Sequence, residues 1–158
     1  MHEVYADREV MRYVGSGDSF SETIEDSERR LRRAIEHHER HGFGLWAVTS
    51  RETGTVMGDA GLILYAERGP DIELAYRLAK AHWGRGFATE AARAWLEFGF
   101  GELDLDRIVA VTHEENLASL RVLGKIGMHP EGRTDYRGTE LLLFAIERDR
   151  ESEVAAAD

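Results

Sequence analysis

The hydrophobic positions of the chain change their spacing several times, and each change predicts a new element of secondary structure. A short helix is predicted over 7–14. A longer helix follows, in which apolar residues recur with a helical period and charged residues lie between them (Ile24, Leu31, Ala34 and Ile35). Ser19 and Glu22 have the spacing of a capping box for its start, and Gly42 is a suitable residue for its end.

The pattern then becomes typical of strands. Strands are predicted over 43–49, 55–64 and 71–78, and residues 51–54 form the first hairpin turn. The remaining elements are a helix over 88–100, a strand over 107–112, a helix capped by Asn116 and ended by Gly127, a brief strand over 128–133 and a buried strand over 141–147. Strands joined through a helix should run parallel with a right-handed crossover. The order predicts a mixed α/β sheet in one domain over 1–150, followed by a solvated tail at 151–158.

Composition narrows the classes of function. The chain has 158 residues, with 20 Lys plus Arg against 30 Asp plus Glu, and therefore a formal net charge of −10. Such a charge disfavours nucleic-acid binding and suits a cationic partner or substrate. The absence of Cys excludes disulfides, thiolate nucleophiles and Cys-based zinc sites.

The longest run without Gly or polar residues covers 141–146, far short of the roughly 20 residues of a spanning helix, and the polar start resembles no signal peptide. A cytoplasmic location is expected.

The segment from Glu73 to Glu90 contains the most informative motif. A predicted strand ends, a loop with Gly84 and Gly86 turns, and a helix begins. Small residues let the backbone approach a bulky anion, and the free N–H groups of the first helical turn attract a phosphate. The alternative is a plain tight turn. A Walker loop is absent. Thr89 stands where a dinucleotide fingerprint needs its third glycine, so binding of a nicotinamide or flavin dinucleotide is not indicated.

Together with the segment 114–128, this motif resembles the GNAT superfamily of acetyltransferases, and most closely the branch that acetylates the N-termini of ribosomal proteins. The resemblance covers about 6–148. It implies a mixed, mostly antiparallel sheet with one splayed parallel strand pair, flanked by helices. The first strand of the family has no counterpart here, so the strand near Phe43 is expected to have a bare edge that a partner chain, such as a second copy in a homodimer, would cover.

The resemblance also implies the reaction. Acetyl-CoA would donate its acetyl group directly to a primary amine, and no enzyme nucleophile is needed. Carried over to this chain, Gly86 and Ala88 hold the last two places of the pyrophosphate motif, and Trp83 stands where Gln or Arg is frequent. The residues expected to bind acetyl-CoA are Leu78, Ala79, Lys80, Trp83, Gly84, Arg85, Gly86, Phe87, Ala88, Thr89, Asn116 and Ser119.

Two residues are candidates for the proton-transfer steps. Ser119 would assist the leaving thiolate, because Leu123 occupies the place of the family's usual tyrosine; its alternative role is helix capping. Strand alternation puts Glu73 on one face with Ala75 and Arg77, and Glu73 is the first choice of base, against the alternative of a solvated carboxylate. The segment 136–138 would line the acceptor pocket.

The acceptor remains open at this stage. A protein N-terminal α-amine is favoured, and a small amine (a polyamine or aminoglycoside) or a weakly catalytic acyl-CoA-binding module are alternatives. No metal is expected, because the histidine-rich string at 37–41 lacks the HExxH spacing and fits a solvated helix end better.

Overall fold

The structure is a computed structural model that describes residues 1–15, 17 and 19–149. The helices are α1 (His2–Ala6), α2 (Arg8–Met11), α3 (Ile24–His41), α4 (Phe87–Gly101) and α5 (Leu117–Lys125). The strands are β1 (Leu45–Thr49), β2 (Val56–Leu64), β3 (Ile72–Leu78), β4 (Arg107–Thr112), β5 (His129–Tyr136) and β6 (Thr139–Glu147). Single 3-10 turns cover Tyr65–Glu67 and Lys80–His82. The predicted tail at 151–158 lies outside the described residues.

One six-stranded sheet, in the order β1-β2-β3-β4-β6-β5, organises the fold. Every neighbouring pair is antiparallel except β3 and β4, which run parallel because α4 connects them. In the described chain these two strands share a single pair in register, Glu73 with Val109, and they separate beyond it. The predicted mixed sheet with one splayed parallel pair is confirmed.

No strand of the described chain pairs with the outer edge of β1, as the sequence predicts. Within the described residues β1 pairs with β2 alone. Cover of this edge by a second copy stays a prediction.

Three local predictions were wrong in detail. The capping box of α3 is formed by Thr23 and Asp26, not by Ser19 and Glu22: the Asp26 N–H donates to Thr23 Oγ1 over 3.1 Å, and the Thr23 N–H donates to the Asp26 carboxylate over 2.8 Å. The helix predicted over 7–14 is the shorter α2, and α1 before it was not predicted; the two are separate because the Asp7 backbone is extended and its side chain caps α2. β5 continues to Tyr136, three residues beyond the strand predicted there.

The two faces of β3 serve different purposes. Its pairing with β2 is uninterrupted from Ile72 to Leu78, so side chains alternate as predicted. Leu74 joins the apolar core between the sheet and helices α4 and α5, together with residues from those helices and from three other strands (Leu62, Leu96, Ile108, Leu123 and Phe144). Glu73, Ala75 and Arg77 face the other way, towards the N-terminal helices.

A buried polar network attaches α1 to the sheet. Asp59 on β2 accepts two hydrogen bonds of 2.8 Å from the Arg77 guanidinium and one of 2.6 Å from the Tyr5 hydroxyl. Burial and the Asp59 charge raise the pKa of Tyr5 above its usual range, so the phenol stays a donor at all physiological pH values. The network fixes the N-terminal helices over the face of β3 that carries Glu73.

Candidate functional site

A cleft of about 1250 Å³ opens where β3 and β4 separate. Its walls come from β3, the ends of β4, the starts of α4 and α5, the N-terminal helices and the β5–β6 turn. Ligands of open α/β sheets bind at such a place, where neighbouring strands diverge beyond their carboxyl ends.

The glycine loop has the backbone shape that the motif predicts. Gly84 and Gly86 adopt left-handed φ angles of +71° and +86°, which an L side chain rarely tolerates, and nothing lies within 4 Å of where their Cβ atoms would be. Gly86 caps α4 without any side-chain hydrogen bond. The first helical donor to the Gly86 carbonyl is the Glu90 N–H, which leaves the N–H groups of Phe87, Ala88 and Thr89 outside the helical ladder. These groups and the helix dipole make this helix start suited to an anion.

Some backbone groups at the end of β3, just before this loop, already form hydrogen bonds within the protein. The Trp83 indole N–H donates to the Leu78 carbonyl over 2.7 Å, and the Ala79 N–H donates to the Met57 carbonyl over 2.7 Å. The Lys80 ammonium pairs with Glu9. Most residues predicted to bind the cofactor border the cleft, and three do not: Ala79, Lys80 and Arg85.

Ser119 lies at the start of α5 on the cleft wall, with two hydrogen-bonded neighbours. The Asn116 side chain accepts the Ser119 N–H over 3.1 Å and caps the helix, as predicted. The Ser119 hydroxyl lies 2.9 Å from the hydroxyl of Tyr76 on β3. Burial raises the pKa of Tyr76 to about 12, so this phenol keeps its proton. Tyr76 was not among the residues predicted for the site, although strand alternation places it on the face opposite Glu73.

Glu73 lies at the point where β3 and β4 begin to separate. Its side chain is buried, with 6% of the residue exposed, so the alternative of a solvated carboxylate was wrong. The Tyr136 hydroxyl donates to it over 2.7 Å, and the Ala66 N–H donates as well. Burial raises the pKa of Glu73 to about 7, and the two hydrogen bonds limit the rise. A carboxyl group with this pKa exchanges protons near neutral pH.

The elements that hold Glu73 are themselves held together by side chains. Ala66 and Glu67 adopt left-handed φ angles of 50° and 62°, an unusual conformation for residues other than glycine. Arg137 pairs with Glu67 over 2.7 Å, and the Tyr65 and Thr134 hydroxyls lie 2.9 Å apart. These contacts dock the β5–β6 turn on the 65–67 turn. Tyr136 and Arg137 border the cleft. That this part of the cleft takes the acceptor stays a prediction.

The two candidate catalytic groups therefore lie on opposite faces of the sheet. Glu73 faces the N-terminal helices, whereas Ser119 and Tyr76 lie on the side of α4 and α5.

The histidine-rich end of α3 is structural in character. His37 donates from Nδ1 to the Phe43 carbonyl over 2.9 Å and accepts the Leu64 N–H at Nε2 over 3.3 Å, so the neutral ring uses both nitrogens. Across 1–15, 17 and 19–149 no three His, Cys, Asp or Glu side chains are arranged to hold a metal ion. Over the same residues, no helix combines the length and apolar character needed to cross a bilayer.

Comparison with known proteins decides the family. The model of the acetyltransferase (GNAT) domain matches residues 1–129. The chain belongs to the GNAT acetyltransferase family. It is 33% identical over 129 residues to the uncharacterized N-acetyltransferase YoaA of Bacillus subtilis, covering 81% of this chain and 71% of that one. As a member of this family, the protein is an acetyl-CoA-dependent N-acetyltransferase.

Solved structures agree on the fold of this GNAT enzyme. A GNAT-family acetyltransferase from Bacillus anthracis superposes with a TM-score of 0.77 at 26% identity, covering 93% of this chain and 86% of the other. Two more distant structures share the fold with TM-scores of 0.73. They are a ribosomal-protein-S5-alanine acetyltransferase from Vibrio fischeri, at 19% identity with 94% and 88% covered, and a spermidine N-acetyltransferase from Vibrio cholerae in complex with CoA and spermine, at 20% identity with 92% and 86% covered.

Proposed function

We propose that this enzyme transfers the acetyl group directly to a primary amine, with Glu73 as the base and Ser119 as the group that stabilises the leaving thiolate. The observation that supports this assignment is the position of the two groups on opposite faces of the sheet, on either side of the gap between β3 and β4. Orienting both reactants in such a gap can supply about 7–11 kcal/mol of the barrier.

The bonding changes balance without an enzyme nucleophile. The acceptor ammonium first passes one proton to the Glu73 carboxylate, and the neutral amine nitrogen then forms a bond to the acetyl carbon. As the carbon–sulfur bond breaks, the nitrogen releases its second proton to solvent. The thiolate leaves with the electron pair of the broken bond and later takes a proton from solvent. The uncapped N–H groups of Phe87, Ala88 and Thr89 would hold the pyrophosphate of the donor.

Tyr76 would determine which way the Ser119 hydroxyl points. A phenol is the better donor of the two hydroxyls, and the Tyr76 hydroxyl also lies 3.5 Å from the Ser119 carbonyl. If Tyr76 donates to Ser119 Oγ, the Ser119 O–H is left to donate to the sulfur. A serine hydroxyl is less acidic than a thiol, so it stabilises the thiolate by a hydrogen bond and keeps its own proton.

The pKa of Glu73 favours an α-amine as the acceptor. A protein N-terminal ammonium has a pKa near 7.7–8.0, within about one unit of a base with a pKa of about 7, whereas a lysine ammonium lies near 10.4. Proton transfer from the N-terminal amine therefore needs less assistance. The N-terminal α-amine of a protein is the proposed acceptor, and a small amine is the alternative.

A panel of amines tests this function. Thiol release from acetyl-CoA should accelerate with peptides that have a free N-terminus, and less with peptides whose only amine is a lysine side chain. N-terminally blocked peptides of the same sequence are the control. If CoA raises Tm but no amine accelerates thiol release, the proposal is wrong.

Removal of the Ser119 hydroxyl should reduce turnover without weakening acetyl-CoA binding. We expect Ser119→Ala to lower kcat about 10- to 100-fold, since the loss of one charge-stabilising hydrogen bond removes roughly 1.5–3 kcal/mol. Tyr76→Phe should lower kcat less, and the double variant should match Ser119→Ala, because both residues act through one hydroxyl.

The control for this series is Ser50→Ala, which removes a hydroxyl from the turn after β1, away from Ser119. Steady-state kinetics with acetyl-CoA as the varied substrate separate kcat from KM. Ser119 and Tyr76 would lose their assigned roles if their variants turned over at the control rate.

A further inference from the structure

Two arginines of α3 border the cleft without a carboxylate partner among the described residues. Arg30 donates to the Ser19 carbonyl and has its guanidinium 5.1 Å from the centre of the Tyr5 ring. Arg33 follows one turn later and makes no ion pair within the described chain, whereas its neighbour Arg32 points out of the cleft and pairs with Glu28 over 3.0 Å. Two guanidinium groups therefore remain available for an anion.

Their place is the acceptor side of the cleft. Arg33 lies one helical turn before His37, which hydrogen-bonds the Leu64 N–H at the end of β2. Leu64 pairs with Ile72, the neighbour of Glu73. Arg30 contacts Tyr5, which belongs to the network around Arg77 on the same face of β3. Both arginines thus lie over the face from which Glu73 would receive the amine, and away from the glycine loop.

The electrostatics of this wall favour a negative group. Burial and the nearby charges of Arg77 and Arg33 lower the pKa of Arg30, which indicates a guanidinium partly removed from water and beside other cations. The carboxylate that binds Arg77, that of Asp59, already accepts from both Arg77 and Tyr5. Arg30 is oriented by its contacts with Ser19 and Tyr5, so binding an anion loses little side-chain entropy.

The carboxylates of the cleft are already engaged, which matters for a polycationic acceptor. Each described acidic side chain on its wall has a partner: Glu9 with Lys80, Asp26 with Arg29, Glu67 with Arg137, Glu115 with Arg12, and Glu73 with the Tyr136 hydroxyl. A polyamine would have to displace an arginine or lysine at four of these carboxylates and the Tyr136 hydroxyl at Glu73. The net charge of −10 therefore lies largely outside the surface that meets the acceptor.

We propose that the acceptor carries a carboxylate besides its reacting amine, and that Arg33 together with Arg30 binds this carboxylate. The inference rests on the proposed function, because it assumes that the amine is delivered to Glu73. The carboxylate belongs either to an acidic side chain close to a peptide N-terminus or to a small amino acid. Polyamines and aminoglycosides, which carry several positive charges and no carboxylate, are excluded as preferred substrates.

Matched acceptors test the charge preference. Three peptides that differ only at the second residue, as Ser-Glu, Ser-Gln and Ser-Lys, should show kcat/KM in the order Glu, Gln, Lys, with about tenfold between Glu and Gln. Free glutamate, glutamine and spermidine form the second arm. A preference for glutamate over the peptides identifies a small amino acid as the source of the carboxylate, and the reverse identifies a peptide. Spermidine should be the poorest acceptor in either case.

Charge reversal at one position tests the residue assignment. Arg33→Glu should invert the Glu-to-Lys preference, and Arg33→Gln should abolish the tenfold advantage of Glu over Gln. Arg32→Glu is the matched control, because the adjacent side chain is exposed and points out of the cleft; it should leave the ratio unchanged. Far-ultraviolet circular dichroism and Tm establish that each variant folds.

The outcomes separate the two proposals. Preferred acetylation of spermidine or of the Ser-Lys peptide by the natural enzyme, or an unchanged ratio in Arg33→Glu, overturns the carboxylate inference while direct acetyl transfer stands. Failure of every acceptor in both arms overturns the proposed function, and the inference with it.

Discussion

Glu73→Gln should lower kcat/KM for the amine about 10²- to 10⁴-fold near pH 7, which is the usual contribution of a general base. The amide has almost the same shape and keeps one oxygen that can accept the hydrogen bond of Tyr136, but it cannot take the ammonium proton. In the natural enzyme, the profile of kcat/KM against pH should rise through a pKa of about 7. The variant should lose this limb of the profile.

The same substitution should stabilise the protein at alkaline pH. The folded-state pKa of Glu73 is raised to about 7 from an ordinary 4.5, so the folded state holds this proton more tightly than the unfolded state. The contribution of this proton to the free energy of unfolding is fully present below pH 4.5 and is lost as pH rises through 7. Ionising the buried carboxyl at pH 8 costs about 3 kcal/mol of folding free energy, and Glu73→Gln avoids this cost.

Urea unfolding at pH 8 and at pH 5 checks the second half of the prediction. The gain of Glu73→Gln over the natural protein should appear at pH 8 and shrink at pH 5. Glu52→Gln, in the exposed turn after β1, is the control for both activity and stability. A Glu73→Gln enzyme with full activity and an unaltered pH profile would remove Glu73 from the mechanism.

Asp59→Ala should destabilise the fold by about 3–5 kcal/mol, the usual effect of leaving a buried charge unpaired. The Arg77 guanidinium would lose both of its 2.8 Å hydrogen bonds, and the Tyr5 hydroxyl would lose its acceptor. For a chain of this length the loss corresponds to a decrease in Tm of roughly 10 °C. Thermal unfolding followed by circular dichroism measures it.

Two comparisons separate this effect from a general loss of charge. Asp104→Asn removes a carboxylate charge that pairs with Arg148 but is 87% exposed, and it keeps a residue suited to the left-handed backbone there, so it should change Tm little. Adding Arg77→Met to Asp59→Leu should recover much of the loss, because no unpaired charge then remains buried. An Asp59→Ala protein as stable as the Asp104→Asn protein would show that the network does not attach the N-terminal helices.

Several elements of the site could be predicted because their signals are local. Alternation along β3 identified the face of Glu73, since a strand without a bulge keeps a period of two. Asn116 caps α5 through a hydrogen bond to the residue three positions later, and Gly42 ends α3 with a left-handed backbone. The capping box of α3 was placed four residues too early because both candidate pairs have the same spacing, and only the course of the chain before α3 distinguishes them.

The amino-acid sequence by itself determined the order of elements, the mixed sheet and the glycine-started helix, because periodicity, caps and left-handed turns are properties of short segments. The tertiary structure decided the chemistry of the site. Tyr136 reaches Glu73 across 63 positions and Tyr76 reaches Ser119 across 43, and no local pattern reports such contacts. The burial that raises the pKa of Glu73, and the arginines left without carboxylates, arise only when distant elements pack, because solvation and charge pairing depend on distances in space.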